Sequence, residues 1–202
     1  MPPRFVAKQL AHPRGLLGKV VARRMNRLNS RINAIAIGQL MVTSSDRVLE
    51  VGFGGGGNLP TLIARAAFVA GIDRSADIVA YANSRHAIAI EEDRAEFHVA
   101  SVDAVPFKTG YFTRICTIDT IYFWKNLVSG FREILRVLAP NGRLVVAFLP
   151  KCRMDLRAFP SDIFIARGPE EVALALQMVG FRCIRSALIR DSMPWQVIIA
   201  ER

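Results

Sequence analysis

Val48-Leu49-Glu50-Val51-Gly52-Phe53-Gly54-Gly55-Gly56-Gly57 is a short apolar run that ends in an acid and opens into a run of glycines. A helical stretch follows from Leu59 to about Ala67, with Asn58 placed to cap it and Pro60 tolerated in its first turn. Glycines at the end of a strand let the backbone turn sharply and come close to a ligand, and in an open α/β sheet that crevice is where ligands bind. Gly52, Gly54 and Gly57, with Asp73 about 20 residues on, also satisfy the dinucleotide pattern G-x-G-x-x-G. By itself the glycine pattern leaves both ligand classes open. Glu50 separates them, because a carboxylate two residues before the loop repels a pyrophosphate and welcomes the amino end of an aminoacyl ligand. Length agrees: 202 residues leave little room for the second substrate domain that most nicotinamide enzymes carry.

Outward from this stretch, strand and helix alternate. Strands are expected at Phe68–Ile72, Glu96–Val99 and Arg114–Ile118, with helices around Ala76–Ile90 and Leu127–Leu138. Asn141-Gly142 forms a tight turn into the apolar strand Arg143–Phe148. A less regular stretch, Pro150–Pro169, precedes a helix near Glu170–Met178 and two last strands, Arg182–Ile189 and Gln196–Ala200. The short loop Arg190–Pro194 cannot make a parallel crossover, so the last two strands form an antiparallel hairpin. The pattern predicts a three-layer α/β/α sandwich around a seven-stranded, mostly parallel sheet with the last strand antiparallel.

Ahead of this body, Leu17, Val20, Val21, Met25, Leu28, Ile32 and Ile35 predict one amphipathic helix over 16–40. Residues 1–45 hold eight basic residues and no acid out of a net charge of +10, which leaves +2 for the rest. The chain therefore divides into a basic N-terminal helical segment, 1–45, serving as a lid or surface helix, and a domain at 46–202. An arginine-rich, acid-free start also suits an organellar transit peptide, but this one is serine-poor and continues into the domain without a break. No apolar run reaches the ~18 residues of a membrane span, and a cytoplasmic location is expected. Cys116, Cys152 and Cys183 are widely separated, and neither a disulfide framework nor a metal site is expected.

Four landmarks in order carry a family resemblance. Glu50-Val51-Gly52-Phe53-Gly54-Gly55-Gly56 resembles the E-x-G-x-G-x-G signature of the class I, Rossmann-like methyltransferases. Asp73 ends the second strand, Val102-Asp103-Ala104-Val105-Pro106-Phe107 is similar to the stretch G-D-A-x-x-L-P-F, and Arg136-Val137-Leu138-Ala139-Pro140-Asn141-Gly142-Arg143-Leu144 is similar to R-V-L-x-P-G-G-x-L. Val102 and Asn141 each replace a glycine of the family pattern. The resemblance covers roughly residues 46–150 and implies S-adenosylmethionine as cofactor. Its implied holders are Glu50, Gly52, Phe53, Gly54, Asp73, Arg74, Val102, Asp103, Ala104 and Ile118. Asp73 would take both ribose hydroxyls, since a carboxylate accepts two hydrogen bonds at once.

Methyl transfer is an in-line displacement, so positioning the nucleophile and excluding water are the main tasks. Asp119, just beyond the fourth strand, is the candidate base, with a turn cap as its alternative role; Tyr122 is the candidate acceptor-positioning group. His12 is the one histidine placed to reach the site, in an N-terminal stretch able to fold over it. The expected acceptor is a small, partly apolar molecule, walled by Leu16, Leu17, Met25, Met154, Phe159 and Phe164. The apolar stripe Leu17, Val21, Leu28 and Ile32 beside Lys19, Arg23 and Arg27 offers a face for an anionic membrane surface. RNA is the weaker partner class, because no nucleic-acid module and no amino-methylation motif follows the fourth strand. A cofactor-binding protein without turnover is the rival outside enzymology.

Overall fold

A computed structural model describes residues 4–156, 159–190 and 194–202, and the middle of the final hairpin loop lies outside them. The side chains of Leu16, Lys19 and Arg23, assigned above to the apolar and basic sides of the first segment, also lie outside the described set. In chain order the elements are α1 (Arg4–Ala11), α2 (Gly15–Leu28), α3 (Ser30–Leu40), β1 (Arg47–Val51), α4 (Leu59–Arg65), β2 (Phe68–Asp73), α5 (Ala76–Arg85) and α6 (Ala87–Glu91). Then come β3 (Ala95–Val99), β4 (Phe112–Ile118), a 3-10 turn (Ile121–Phe123), α7 (Leu127–Val137), β5 (Leu138–Phe148), α8 (Lys151–Leu156), α9 (Pro169–Val179), β6 (Arg182–Ile189) and β7 (Trp195–Glu201).

The strands form one seven-stranded sheet in the order β3-β2-β1-β4-β5-β7-β6, with β7 antiparallel to both of its neighbours. The chain winds one way from β1 to β3 and the other way from β4, so β1 and β4 meet at the switch point where open sheets leave a crevice. Both are buried through most of their length, which suits a sheet covered on both faces. α7 turns Phe131, Ile134 and Val137 fully into the core, where Phe112 and Phe148 are also fully buried.

Four local expectations are corrected. The helix expected over 16–40 bends at Asn29, which leaves the helical region (φ −96°, ψ 7°) while its N–H still bonds Met25 O and its carbonyl accepts Asn33 N–H. The helix at 76–90 is interrupted at His86 in the same way (φ −115°). Asn141 does not start a new strand: it sits at φ 60° as an irregularity within β5, a conformation asparagine tolerates. Asn58 makes no side-chain cap for α4, because its amide is drawn instead to Glu50.

The bend at Asn29 also divides the expected apolar stripe. Val21 lines an internal cavity and Ile32 is buried, whereas Leu17 and Leu28 are 61% and 60% exposed. At ~100° per residue, Leu17, Val20, Arg24, Arg27 and Leu28 fall within an arc of about 100°. That arc faces solvent, while Val21, Ala22, Met25 and Asn26 point inward.

Candidate active site

A cavity of about 470 Å³ opens at the carboxyl ends of β1, β2 and β4, within the range of small-molecule sites, and α1 and α2 form its outer wall. Glu50 is buried at its base. Asn58 Nδ2 donates to Glu50 Oε1 at 2.6 Å, and Oε2 has no partner. Burial raises the Glu50 carboxyl to about 7; the Asn58 hydrogen bond opposes this and the charge of Asp73 adds to it.

Asp73 is buried at the end of β2 and accepts from Ser75 N at 2.9 Å and Gly54 N at 3.0 Å. Burial raises its carboxyl, against the pull of those N–H groups and of His12. The segment before α2 docks beside it: Ser75 Oγ donates to Pro13 O at 2.5 Å, and Gly15 N donates to Asp77 Oδ2 at 2.8 Å. His12 itself does not line the cavity, though both of its chain neighbours do.

The glycines of the loop answer different demands. At Gly54 (φ +50°) an added Cβ would meet nothing within 4 Å, leaving open space beside Asp73. At Gly55 a Cβ would lie 2.4 Å from Asn26 Nδ2 and 3.0 Å from the Ala22 backbone, so this glycine admits helix α2 rather than a ligand. At Gly52 it would lie 2.4 Å from Thr120 Cγ2, so the turn after β4 sets that requirement.

Gly52, Phe53, Arg74, Val102, Asp103 and Ile118 join Glu50, Gly54 and Asp73 around the cavity. Arg74 and Asp103 are exposed at its rim, and Val102 and Ile118 are buried in its wall. Ala104 stands apart: it is exposed, it does not line the cavity, and its N–H is taken by Ser101 O at 3.1 Å.

Beyond β4, Asp119 holds a left-handed backbone (φ 59°) that turns the chain across the strand ends, its N–H bonded to Ala147 O. Its carboxylate receives the Tyr122 hydroxyl at 2.9 Å on Oδ1 and Asn29 Nδ2 at 2.7 Å on Oδ2. The half-buried group faces the cavity, and removal from bulk water raises it to about 7, against the Tyr122 hydrogen bond. Tyr122 also receives the Leu149 N–H. Burial and the neighbouring Asp119 charge push the Tyr122 hydroxyl well above its ordinary range, so it stays a donor. Sequence reasoning missed Asn29. The available signal was a polar residue between Met25 and Ile32 on an otherwise inward apolar stripe.

Apolar side chains supply much of the rest of the cavity wall. Leu10, Met25, Leu149, Met154, Phe159 and Phe164 are among them, with Phe164 5.0 Å from both Phe123 and Phe159 between ring centroids. Leu17, expected among them, points to solvent instead. Among the described residues no cluster of potential metal ligands occurs.

Residues 49–146 match the family model described as a methyltransferase domain. An uncharacterized methyltransferase of Bacillus subtilis (strain 168), YdaC, is 26% identical over 125 residues, covering 61% of this chain and 67% of that protein. The erythromycin 3''-O-methyltransferase of Saccharopolyspora erythraea is 28% identical over 137 residues, covering 65% of this chain but only 42% of the enzyme. Geranyl diphosphate C-methyltransferase from Streptomyces coelicolor A3(2) superposes with a TM-score of 0.71 at 18% identity, over 96% of this chain and 87% of that one. The [4+2]-cyclase SpnF superposes at 0.72 with 18% identity, over 85% and 80%, so the shared fold alone does not specify a reaction. The matched domain, the strand order and the acid-then-glycine loop at the switch point agree, and the chain carries a methyltransferase domain on the class I, Rossmann-like fold.

Proposed function

We propose that this protein transfers a methyl group from S-adenosylmethionine to a small, partly apolar acceptor held in the same cavity. The observation that carries the cofactor assignment is Glu50 Oε2, buried without a partner on a residue that lines the same cavity as Gly54, where a side chain would meet open space. A buried carboxylate is costly unless paired, and the ammonium of an aminoacyl ligand supplies that pairing. The pyrophosphate of a dinucleotide would instead face two carboxylates, Glu50 and Asp73. In this reading Asp73 accepts from the ribose hydroxyls, and Val102 and Asp103 border the adenine. When bound, the cofactor supplies an electrophilic methyl on a sulfonium sulfur. Helices α1 and α2 exclude water, Asp119 is poised near neutrality to take a proton, and Tyr122 orients it. The erythromycin and geranyl diphosphate enzymes, by their names, act on small molecules, which supports an acceptor of that kind.

Calorimetry tests this directly. S-adenosylmethionine and S-adenosylhomocysteine should bind and nicotinamide dinucleotides should not; the reverse pattern overturns the reading. Because the free Glu50 carboxyl sits at about 7 and a bound ammonium favours its ionised form, binding below pH 7 must draw off a proton. Affinity should therefore rise, by about tenfold between pH 5.5 and 7.5. Glu50→Gln should weaken binding and flatten that rise.

The solvent face of α2 favours a second, separate reading: an anionic bilayer as the docking place from which an apolar acceptor enters. Leu17, Val20 and Leu28 are 61%, 58% and 60% exposed beside the exposed Arg24 and Arg27. Each such basic residue contributes about 1 kcal/mol near an anionic surface. The protein should co-float with phosphatidylglycerol vesicles at low salt, ignore phosphatidylcholine vesicles, and lose flotation when Arg24 and Arg27 are replaced by Glu. Binding to RNA with no vesicle flotation would sink this reading.

A further inference from the structure

We propose that Asn29 and Asp119 together form the polar end of the acceptor site and select a neutral hydroxyl group, which makes the reaction an O-methylation. The inference rests on the methyltransferase reading above. Asn29 comes from the bend between α2 and α3, 90 residues from Asp119 along the chain, and is 7% exposed. Its Nδ2 is committed to Asp119 Oδ2 at 2.7 Å, which fixes which way the amide points. The same bond leaves Asn29 Oδ1 sealed from solvent and without a partner, on a residue that lines the cavity. Tyr122 spends its one hydroxyl hydrogen on Asp119 Oδ1. The Tyr122 hydrogen and one of the two Asn29 Nδ2 hydrogens are thus consumed, while an amide oxygen and the remaining lone pairs of a carboxylate outnumber the one hydrogen left over.

Such a cluster asks its ligand for a hydrogen, in a cavity whose wall also carries apolar side chains such as Leu10, Met25, Met154, Phe159 and Phe164. An apolar molecule carrying one hydroxyl meets both demands. An amine does not serve as well: an alkylamine beside a carboxylate is held as an ammonium, whose nitrogen lone pair is occupied by a proton and cannot attack, and a neutral arylamine offers a weaker N–H donor than a phenol O–H. In the transfer, the hydroxyl oxygen forms the new bond to the methyl carbon as the carbon–sulfur bond of the sulfonium donor breaks. The electron pair of that bond stays on sulfur, leaving a neutral thioether. The hydroxyl proton passes to Asp119, so charge balances: a sulfonium and a carboxylate become a thioether and a carboxylic acid. In the arriving complex the one hydroxyl hydrogen is accepted by Asn29 Oδ1, and it turns to the adjacent Asp119 carboxylate before the transfer. Because Asn29 also ends α2, docking of that helix and assembly of this polar end occur together.

The test uses 4-butylphenol, its methyl ether 4-butylanisole and 4-butylaniline as probes. Tryptophan fluorescence follows their binding, because Trp124 and Trp195 both line the cavity. It is run on the free protein and with S-adenosylhomocysteine present. The phenol should bind about tenfold more tightly than the ether, the discrimination of one buried hydrogen bond. Asn29→Ala and Asn29→Leu should each erase most of that preference, read as the ratio of phenol to ether affinity within each variant; two variants of different volume guard against a packing artefact. No phenol binding, equal affinity for phenol and ether, preference for the aniline, or an unchanged preference in both Asn29 variants overturns the proposal. Failure of S-adenosylhomocysteine to bind counts against the cofactor reading alone, since the phenol comparison is also read on the free protein.

Discussion

Asp119→Asn should lower turnover on the best acceptor of a phenol, quinone and lipid panel by about 10²–10⁴-fold, the usual contribution of a positioned proton acceptor. S-adenosylhomocysteine affinity should stay within about twofold, because Glu50, Gly54 and Asp73 are untouched. The wild-type rate should rise with pH and level off above about 7, where Asp119 becomes ionised, and the variant should lack that limb. Stability gives a readout of opposite sign. A carboxyl raised in the folded state holds its proton there while the unfolded chain has already lost it. Its contribution is therefore fully present below the unfolded value of 3.8 and is lost as pH rises to about 7. At pH 8 the Asn variant should melt no lower than wild type, and a large drop there would mean that Asp119 is chiefly structural. Turnover that stays intact would remove Asp119 as a base.

Gly54→Val should reduce S-adenosylmethionine affinity by at least about 100-fold, equivalent to about 2.7 kcal/mol, while the protein still folds. The new side chain meets no protein atom near its Cβ and fills the space beside Asp73. The left-handed backbone at φ +50° adds strain of about 1–2 kcal/mol, which for a domain of this size lowers the melting temperature by about 2–8 °C. Gly55→Val, one residue on, should behave differently. Its Cβ would run into Asn26 and the Ala22 backbone, so the damage falls on the docking of α2. Proteolysis within residues 4–28 together with calorimetry separates the two: Gly54→Val loses ligand with α2 still protected, and Gly55→Val exposes α2. Unchanged affinity in Gly54→Val would put the cofactor elsewhere.

The sequence by itself determined the sheet, its antiparallel edge and the acid-then-glycine loop, because each rests on local physics. Strand–helix alternation, the short final connection and the tolerance of glycine for a left-handed backbone all act within a few residues. Glu50 and Asp73 were legible for the same reason, since each ends a strand whose direction is set by the pattern around it. What only the tertiary structure decided is which distant side chains meet. Asn58 stays at the N-cap of α4 but makes no side-chain cap bond, because its amide pairs instead with the buried Glu50 carboxyl eight residues earlier. The stripe on α2 splits into an inner and an outer face because Ala22 and Asn26 seat on Gly55, which fixes the helix phase, and because Asn29 bends the chain toward Asp119. Helical spacing records that Asn29 shares a side with Met25 and Ile32 but not what lies opposite it. A contact across 90 residues forms only when the loop after β4 and the end of α2 are brought to one cavity, and no local propensity encodes that approach.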